Sequence, residues 1–235
     1  MAQWQIRSEG EVAIVSLDDG KANALLVPEF KGLEAALDEV KAGPAKACVL
    51  TGRTGFFSAG LNLKAMAGMS LDELKALISA MGSAVLKLFL FEKPVVSAVS
   101  GHALGAGAMF GFGADVRVFA EGSYKFGLNE VPAGLFVPTF AVELARSAVS
   151  SSRITELVVH GRVLSPMEAL TMHVAESLHA PDSLIAAAVM RAKALATLSG
   201  PGYALTKRLV REQSAELSRA RLSGELDELA RMIRK

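Results

Sequence analysis

Twice in this chain a short run of mostly apolar, strand-favouring residues leads straight into a cluster of glycines. Ala47-Cys48-Val49-Leu50-Thr51 is followed by Gly52, Gly55 and Gly60. Val95-Val96-Ser97-Ala98-Val99 is followed by Gly101, Gly105, Gly107, Gly111 and Gly113. Runs of that kind read as strands buried on both faces, the usual state of parallel strands. Glycine directly beyond a strand lets the main chain turn tightly and approach another backbone. With helical patterns between them, these units point to an α/β fold.

The remaining elements follow in order. Gln3–Arg7 and Val12–Leu17 alternate apolar and polar residues around Ser8-Glu9-Gly10-Glu11, which predicts a hairpin. Phe30, Leu33, Ala36, Leu37 and Val40 predict a helix over Pro28–Lys41. Ser70-Leu71-Asp72-Glu73 is a capping-box pattern opening a helix to about Phe91. Gly52–Gly60 reads as loop, Gly105–Gly113 as helix and Asp115–Ala120 as strand. From Val137 the pattern predicts helix nearly to Lys235, broken near Ser150, Gly161, Pro181 and Gly200-Pro201-Gly202. The organisation expected is one core over 1–195 and a helical region over 196–235. Leu205, Leu209, Leu217, Leu222, Leu226 and Leu229 of that region need an apolar partner, on the core or on a neighbouring subunit.

Composition narrows the function. Lys+Arg is 25 and Asp+Glu 24, so the formal net charge is +1. That lacks the basic surplus of a nucleic-acid-binding protein. A chain that is 51% hydrophobic is not disordered. One cysteine, Cys48, permits neither an internal disulfide framework nor a cysteine zinc cage. In its predicted strand it reads as a small core residue. The uncharged run Pro94–Ala114 is long enough to span a bilayer. Its five glycines, Ser97, Ser100 and His102 fit a strand, a turn and a close-packed helix better. No membrane span, metal site or leader segment is expected, and the cytoplasm is the expected compartment.

Two readings of the glycine clusters compete. Gly105-Ala106-Gly107 with Gly111 could hold a dinucleotide phosphate on a helix N-terminus, with Glu121 on a ribose. The last glycine falls one place late for that pattern. Alternatively, two glycine turns that each point a backbone N–H into one cleft make an oxyanion hole. Phe126-Gly127-Leu128-Asn129-Glu130-Val131-Pro132 adds one carboxylate in an apolar stretch, a setting that raises its pKa toward that of a working base. His102, in a turn, and His160, His173 and His179, near helix ends, read as structural or solvated. The basic residues Arg208, Arg211, Arg219 and Arg221 are interleaved with glutamates, as on a solvated face.

Three motifs in order carry a family resemblance. Phe57-Ser58-Ala59-Gly60-Leu61-Asn62-Leu63 resembles the first oxyanion-hole motif of the crotonase (enoyl-CoA hydratase/isomerase) superfamily. Lys93-Pro94-Val95-Val96 through Gly101-His102-Ala103-Leu104-Gly105-Ala106-Gly107 resembles the second. Asp115 and Phe126 through Glu130 follow at the family's spacing. The resemblance covers nearly the whole chain. It implies a crotonase-like spiral of ββα units with a C-terminal helical region, acting on an acyl-CoA thioester and assembling as a homotrimer or hexamer. It implies no cofactor beyond the coenzyme A of the substrate. The N–H groups of Leu61 and Ala106 would hold the thioester oxygen. Ala59 and the Ala22, Ala24 and Leu25 segment would line the coenzyme A path, and Lys64 would approach the nucleotide end. Lys207 or Arg208 is a further candidate for the coenzyme A phosphates.

By the same resemblance, two-glutamate hydratases have a carboxylate where this chain has Met109, and a second at Glu130. Methionine can neither hold nor activate water. Moving a double bond from C3–C4 to C2–C3 needs only one base and an oxyanion hole. Gly127-Leu128-Asn129-Glu130 also looks like the corresponding stretch of Δ3,Δ2-enoyl-CoA isomerases. Met109, Phe136 and Val137 would then wall a dry acyl pocket. The alternatives are hydration, or another crotonase-type reaction, and a non-catalytic acyl-CoA-binding protein.

Overall fold

A computed structural model of the chain describes residues 3–233. It opens with the hairpin of β1 (Gln3–Glu9) and β2 (Val12–Asp18), followed by β3 (Ala24–Leu25) and α1 (Val27–Ala42). Next come β4 (Ala47–Thr51), β5 (Gly55–Ser58), β6 (Gly60–Leu61), the single turn α2 (Leu63–Met66) and α3 (Leu71–Phe89). A third unit is β7 (Val95–Val99), β8 (Gly101–Leu104) and α4 (Ala106–Gly113). Then follow β9 (Val116–Ala120), β10 (Phe126–Gly127), α5 (Thr139–Ala148), α6 (Pro166–Thr171), β11 (Ser177–His179), α7 (Leu184–Ala196) and α8 (Pro201–Ile233).

The strands form a repeating pattern. The large sheet has the order β1-β2-β4-β7-β9-β11, parallel throughout after the hairpin. A small parallel sheet runs β10-β8-β5. β4, β7 and β9 lie in the large sheet, and the strand after each lies in the small one. Helices return the chain, which makes the expected spiral of ββα units.

The buried strands alternate between two apolar layers. Val15, Leu17, Cys48, Leu50 and Val95 face the cluster that includes Phe30, Leu77 and Phe110. Ile14, Val49, Val96 and Ala98 face Leu184, Ala188 and Ala192 of α7. Successive side chains of a strand point to opposite faces, so a sheet covered on both faces needs apolar residues at nearly every position. Burial pushes the Cys48 thiol up to about 12, and it stays protonated as part of this core. The Pro94–Ala114 run folds as β7, β8 and α4, and no helix among the described residues is long and apolar enough to cross a membrane.

Ser70 and Glu73 form the anticipated capping box, Glu73 N–H donating to Ser70 Oγ and Ser70 N–H to Glu73 Oε2. Two expectations fail. Gly52–Gly60 is not a loop: it holds β5 and the start of β6. β5 is bound to β8 along its main chain, a pairing that apolar periodicity does not register. The stretch from Val137 is not helical throughout, because β11 adds a parallel edge strand beside β9. A three-residue strand is too short to show a period. His173, at φ 58, ends the preceding helical segment.

α8 folds back on its own chain. At its root, Asp115 Oδ2 accepts from Val95 N–H at 2.7 Å and from Lys207 Nζ at 2.8 Å. Asp115 Oδ1 lies 3.0 Å from the Arg211 guanidinium. The expectation that Lys207 reaches coenzyme A phosphates is corrected here: its side chain is 5% exposed and belongs to this buried pair. Burial pushes its ammonium down to about 8 despite Asp115. Arg208 is exposed and pairs with Glu212 at 2.9 Å. Farther along, Lys75 of α3 meets Asp227 at 2.8 Å, and Thr139 N–H donates to Glu225 at 3.0 Å. Leu222 packs on the core, whereas Leu205 and Leu209 remain exposed.

Candidate active site

The site's floor is main chain. Asn62 N–H donates to Leu25 O at 3.0 Å across the β3–β6 pair. Neighbouring amides of a strand point opposite ways, so the Leu61 N–H is directed away from β3. Ala106 is the first residue of α4, where an N–H has no acceptor within the helix. The two turns abut. A Cβ built on Gly60 would stand 2.5 Å from Leu104 O and 3.4 Å from Ala106 N. Both Leu61 and Ala106 line one cavity of about 420 Å³.

Asn23, missed as a site element in its own right, braces this floor. It is fully buried at φ 52, the left-handed region. Its amide donates to Leu17 O at 2.8 Å and to Phe56 O and Phe57 O at 3.1 and 3.2 Å. Ser58 Oγ donates to Asn23 O and accepts from Gly60 N–H, so β2, β3, β5 and β6 are tied at one point. Asparagine tolerates the left-handed region and can satisfy several buried backbone groups at once.

β10 delivers the carboxylate. Its pairing sets Phe126 beside Ala103 and Gly127 beside Leu104, and Gly105 N–H donates to Gly127 O at 3.0 Å. The chain runs on through Leu128 to Asn129 and Glu130. A Cβ on Gly105 would lie 3.3 Å from Glu130 Oε1, at a φ of +52 that already disfavours a side chain. The carboxylate therefore sits against the turn that presents Ala106 N–H. Glu130 Oε2 is buried with no hydrogen-bond partner among the described residues. Burial pushes this carboxyl up to about 7, opposed by a bond to its own backbone. An unpartnered buried oxygen of that pKa is suited to take and return a proton near neutral pH.

The rest of the cavity wall is apolar. Met66, Met69, Leu74, Ile78, Met81, Phe136 and Leu229 line it, and Asn129 is the other polar side chain on the wall among the described residues. The structure brings Leu61, Ala106, Glu130, Ala59 and Phe136 together around this cavity. It does not bring Met109, Val137, Ala22, Ala24, Leu25 or Lys64 to its wall. Met109 is 1% exposed within α4, and Leu25 is fully buried. Val137 packs on the core, and Lys64 is exposed on α2, next to the wall residue Leu63. Sequence reasoning missed the methionines, Leu74, Ile78 and Leu229. Asn129 and Met66 lie beside recognised motifs, which was a usable signal; Leu229 offered none.

The other candidates fall into structural roles. Gly107 is glycine because a Cβ there would meet Ser58 O at 2.3 Å, so the second cluster packs α4 onto β5 and leaves no room for a pyrophosphate. His102 Nδ1 accepts from Lys125 N–H at 3.2 Å, and its ring lies against Phe56 and Tyr124.

Comparison with known proteins gives the family and the fold. The model of the family described as enoyl-CoA hydratase/isomerase matches residues 7–235. The probable enoyl-CoA hydratase EchA17 of Mycobacterium tuberculosis is 31% identical over 195 residues, 83% of this chain and 74% of that one. A solved probable enoyl-CoA hydratase, EchA3 of Mycobacterium tuberculosis, also described as an enoyl-CoA isomerase, is 27% identical with a TM-score of 0.90, over 97% of this chain and 96% of that one. Human mitochondrial Δ3-Δ2-enoyl-CoA isomerase superposes with a TM-score of 0.91 over 99% of this chain and 92% of its own, at 22% identity, a likeness of fold.

Proposed function

We propose, from the premise that this chain belongs to the enoyl-CoA hydratase/isomerase family, that it moves the double bond of a 3-enoyl-CoA to the 2-position. The observation that carries this reading is the single carboxylate. Glu130 is the one titratable side chain on the cavity wall among the described residues, and Met109, at the place of a second glutamate, is a buried core residue. Syn addition of water uses two carboxylates to hold and activate one water; allylic isomerisation uses one.

In this reading the thioester oxygen accepts from Leu61 N–H and Ala106 N–H. Glu130, ionised, removes a proton from C2, and the electrons move onto the thioester oxygen as a dienolate. The two amides stabilise that charge as it forms. The same carboxyl, now protonated, returns its proton to C4 as the C2–C3 double bond forms. No group other than substrate and Glu130 gains or loses a proton, so no cofactor is consumed. The apolar wall keeps water from the dienolate. Coenzyme A leaves the cavity past Ala59, with Lys64 at its mouth. Assembly as a trimer or hexamer goes with this reading, and sedimentation tests it.

The curated relatives carry the name hydratase, so the deciding experiment uses both substrates. Incubation with 3-enoyl-CoA is expected to produce conjugated 2-enoyl-CoA at an enzymatic rate. Conversion of 2-enoyl-CoA to 3-hydroxyacyl-CoA at a comparable or higher rate overturns the isomerase reading. Binding without turnover of either substrate converts it to that of a binding protein.

A further inference from the structure

One residue of the cavity wall comes from neither the oxyanion turns, the base-bearing segment nor the α2–α3 side. Leu229 reaches it from α8. Its position is held by two polar links just before it. Glu225 accepts from both the N–H and the hydroxyl of Thr139, capping the first turn of α5 in place of a residue of α5 itself. Asp227 pairs with Lys75 of α3 at 2.8 Å. Glu225 and Leu229 are four residues apart, hence on one helical face. Anchoring Glu225 therefore sets Leu229 one turn farther along the same side. Thr139 directly follows Pro138, another wall residue, so the latch and the wall are one piece.

The neighbouring part of the wall is the α3 face of Leu74, Ile78 and Met81, three residues at helical spacing. Gly82 stands against Leu222, and Lys75 against Asp227, so α8 runs antiparallel to α3. Leu229, two residues beyond the Asp227–Lys75 pair, thus joins the cavity wall near the start of α3, at the Leu74 end of that face. A chain lying from Leu61 and Ala106 past Glu130 has this apolar space to enter. We propose that Leu229, held by the Glu225 and Asp227 latch, is the residue that limits acyl-chain length in this protein. The inference rests on the acyl-CoA reading above and adds a specificity role to a helix remote from the chemistry.

Titration calorimetry with saturated acyl-CoAs of increasing length tests it without requiring turnover. In the unaltered protein, affinity is expected to gain about fourfold per methylene until the chain meets Leu229, then to level or fall. Leu229→Ala removes three carbons and is expected to move that break to longer chains, by roughly two or three methylenes. Leu229→Phe is expected to move it to shorter ones. Glu225→Gln, which keeps shape and loses charge, is expected to blunt the break while leaving affinity for free coenzyme A unchanged. Opposite shifts in the two Leu229 variants cannot come from general loosening, which would weaken both alike. A break at the same length in all proteins overturns the proposal. kcat/KM on 3-enoyl-CoAs of the same lengths separates the two readings. Absent turnover with a moving break sinks the isomerase assignment and keeps Leu229. Turnover with a fixed break does the reverse, and no acyl-CoA binding at all sinks both.

Discussion

The two ends of the cavity are built from different materials. At the end proposed to hold the thioester oxygen the groups presented are backbone amides, and side chains matter chiefly where they are missing, at Gly60, Gly105 and Gly107. At the acyl end the wall is side chains from α2, α3, the segment after Glu130 and α8, and the backbone stands behind them. The first end is fixed by sheet register and by buried hydrogen bonds such as those of Asn23. The second is fixed by helix packing and two exchangeable polar links. Charge stabilisation needs donors placed to a few tenths of an ångström, which a hydrogen-bonded sheet supplies. Accommodating hydrocarbon needs only volume of the right extent, which methionines and leucines can repack to provide.

Glu130 belongs to the rigid end, and removing it has the largest effect. Glu130→Gln is expected to lower isomerase kcat by roughly 10²–10⁴-fold with acyl-CoA affinity nearly unchanged. Full activity in that variant would move the base elsewhere. Asp115 joins the two ends through the root of α8. Asp115→Asn leaves Lys207 buried without its counter-charge and is expected to cost about 3–5 kcal/mol, read by urea unfolding. A loss under 1 kcal/mol would mean that α8 is held by its apolar contacts instead. Ala106→Pro removes one main-chain donor at a helix position that accepts proline, and is expected to cost roughly 10²–10³-fold in kcat. A retained rate would show that Leu61 N–H suffices.

The smallest effects are those of pH. In the proposed reaction Glu130 acts ionised, so kcat/KM is expected to rise with pH through about 7 and then level. Its folded value lies above the usual value of 4.5. Its contribution to stability is therefore intact below 4.5 and is lost as pH rises through 7. Glu130→Gln is then expected to be more stable than the unaltered protein at pH 8, by up to about 3 kcal/mol, with the gap closing toward pH 4. A gap independent of pH would mean that the carboxyl is not desolvated.

What could be read in the sequence follows the same division. Glycine after an apolar strand marks a place where only a backbone fits, so Gly60-Leu61 and Gly105-Ala106 were legible, and Glu130 came with them. Ser70 and Glu73 announced α3 because a capping box is local. β5 and β11 were illegible because their order comes from partners across the sheets, β8 and β9, and not from their own pattern. Met109 and Val137 read in sequence as cavity wall, but which face of a helix or turn meets a cavity is set by packing, and both pack in or on the core. Lys207 reads in sequence as a candidate for the coenzyme A phosphates; Asp115, remote in sequence, holds it inside. Leu229 carries no local mark at all.

The latch on α5 also sets an order of events. Thr139 and Glu225 lie 86 residues apart. At ordinary rates of translation, the stretch between them takes about 4–17 s to emerge. For that interval a growing chain has both glycine turns and Glu130 but a cavity open on the side that Leu229 covers, an apolar cleft exposed to solvent or a chaperone. The turn end of the cavity can be finished early; the wall that α8 supplies, and with it the proposed limit on chain length, comes last.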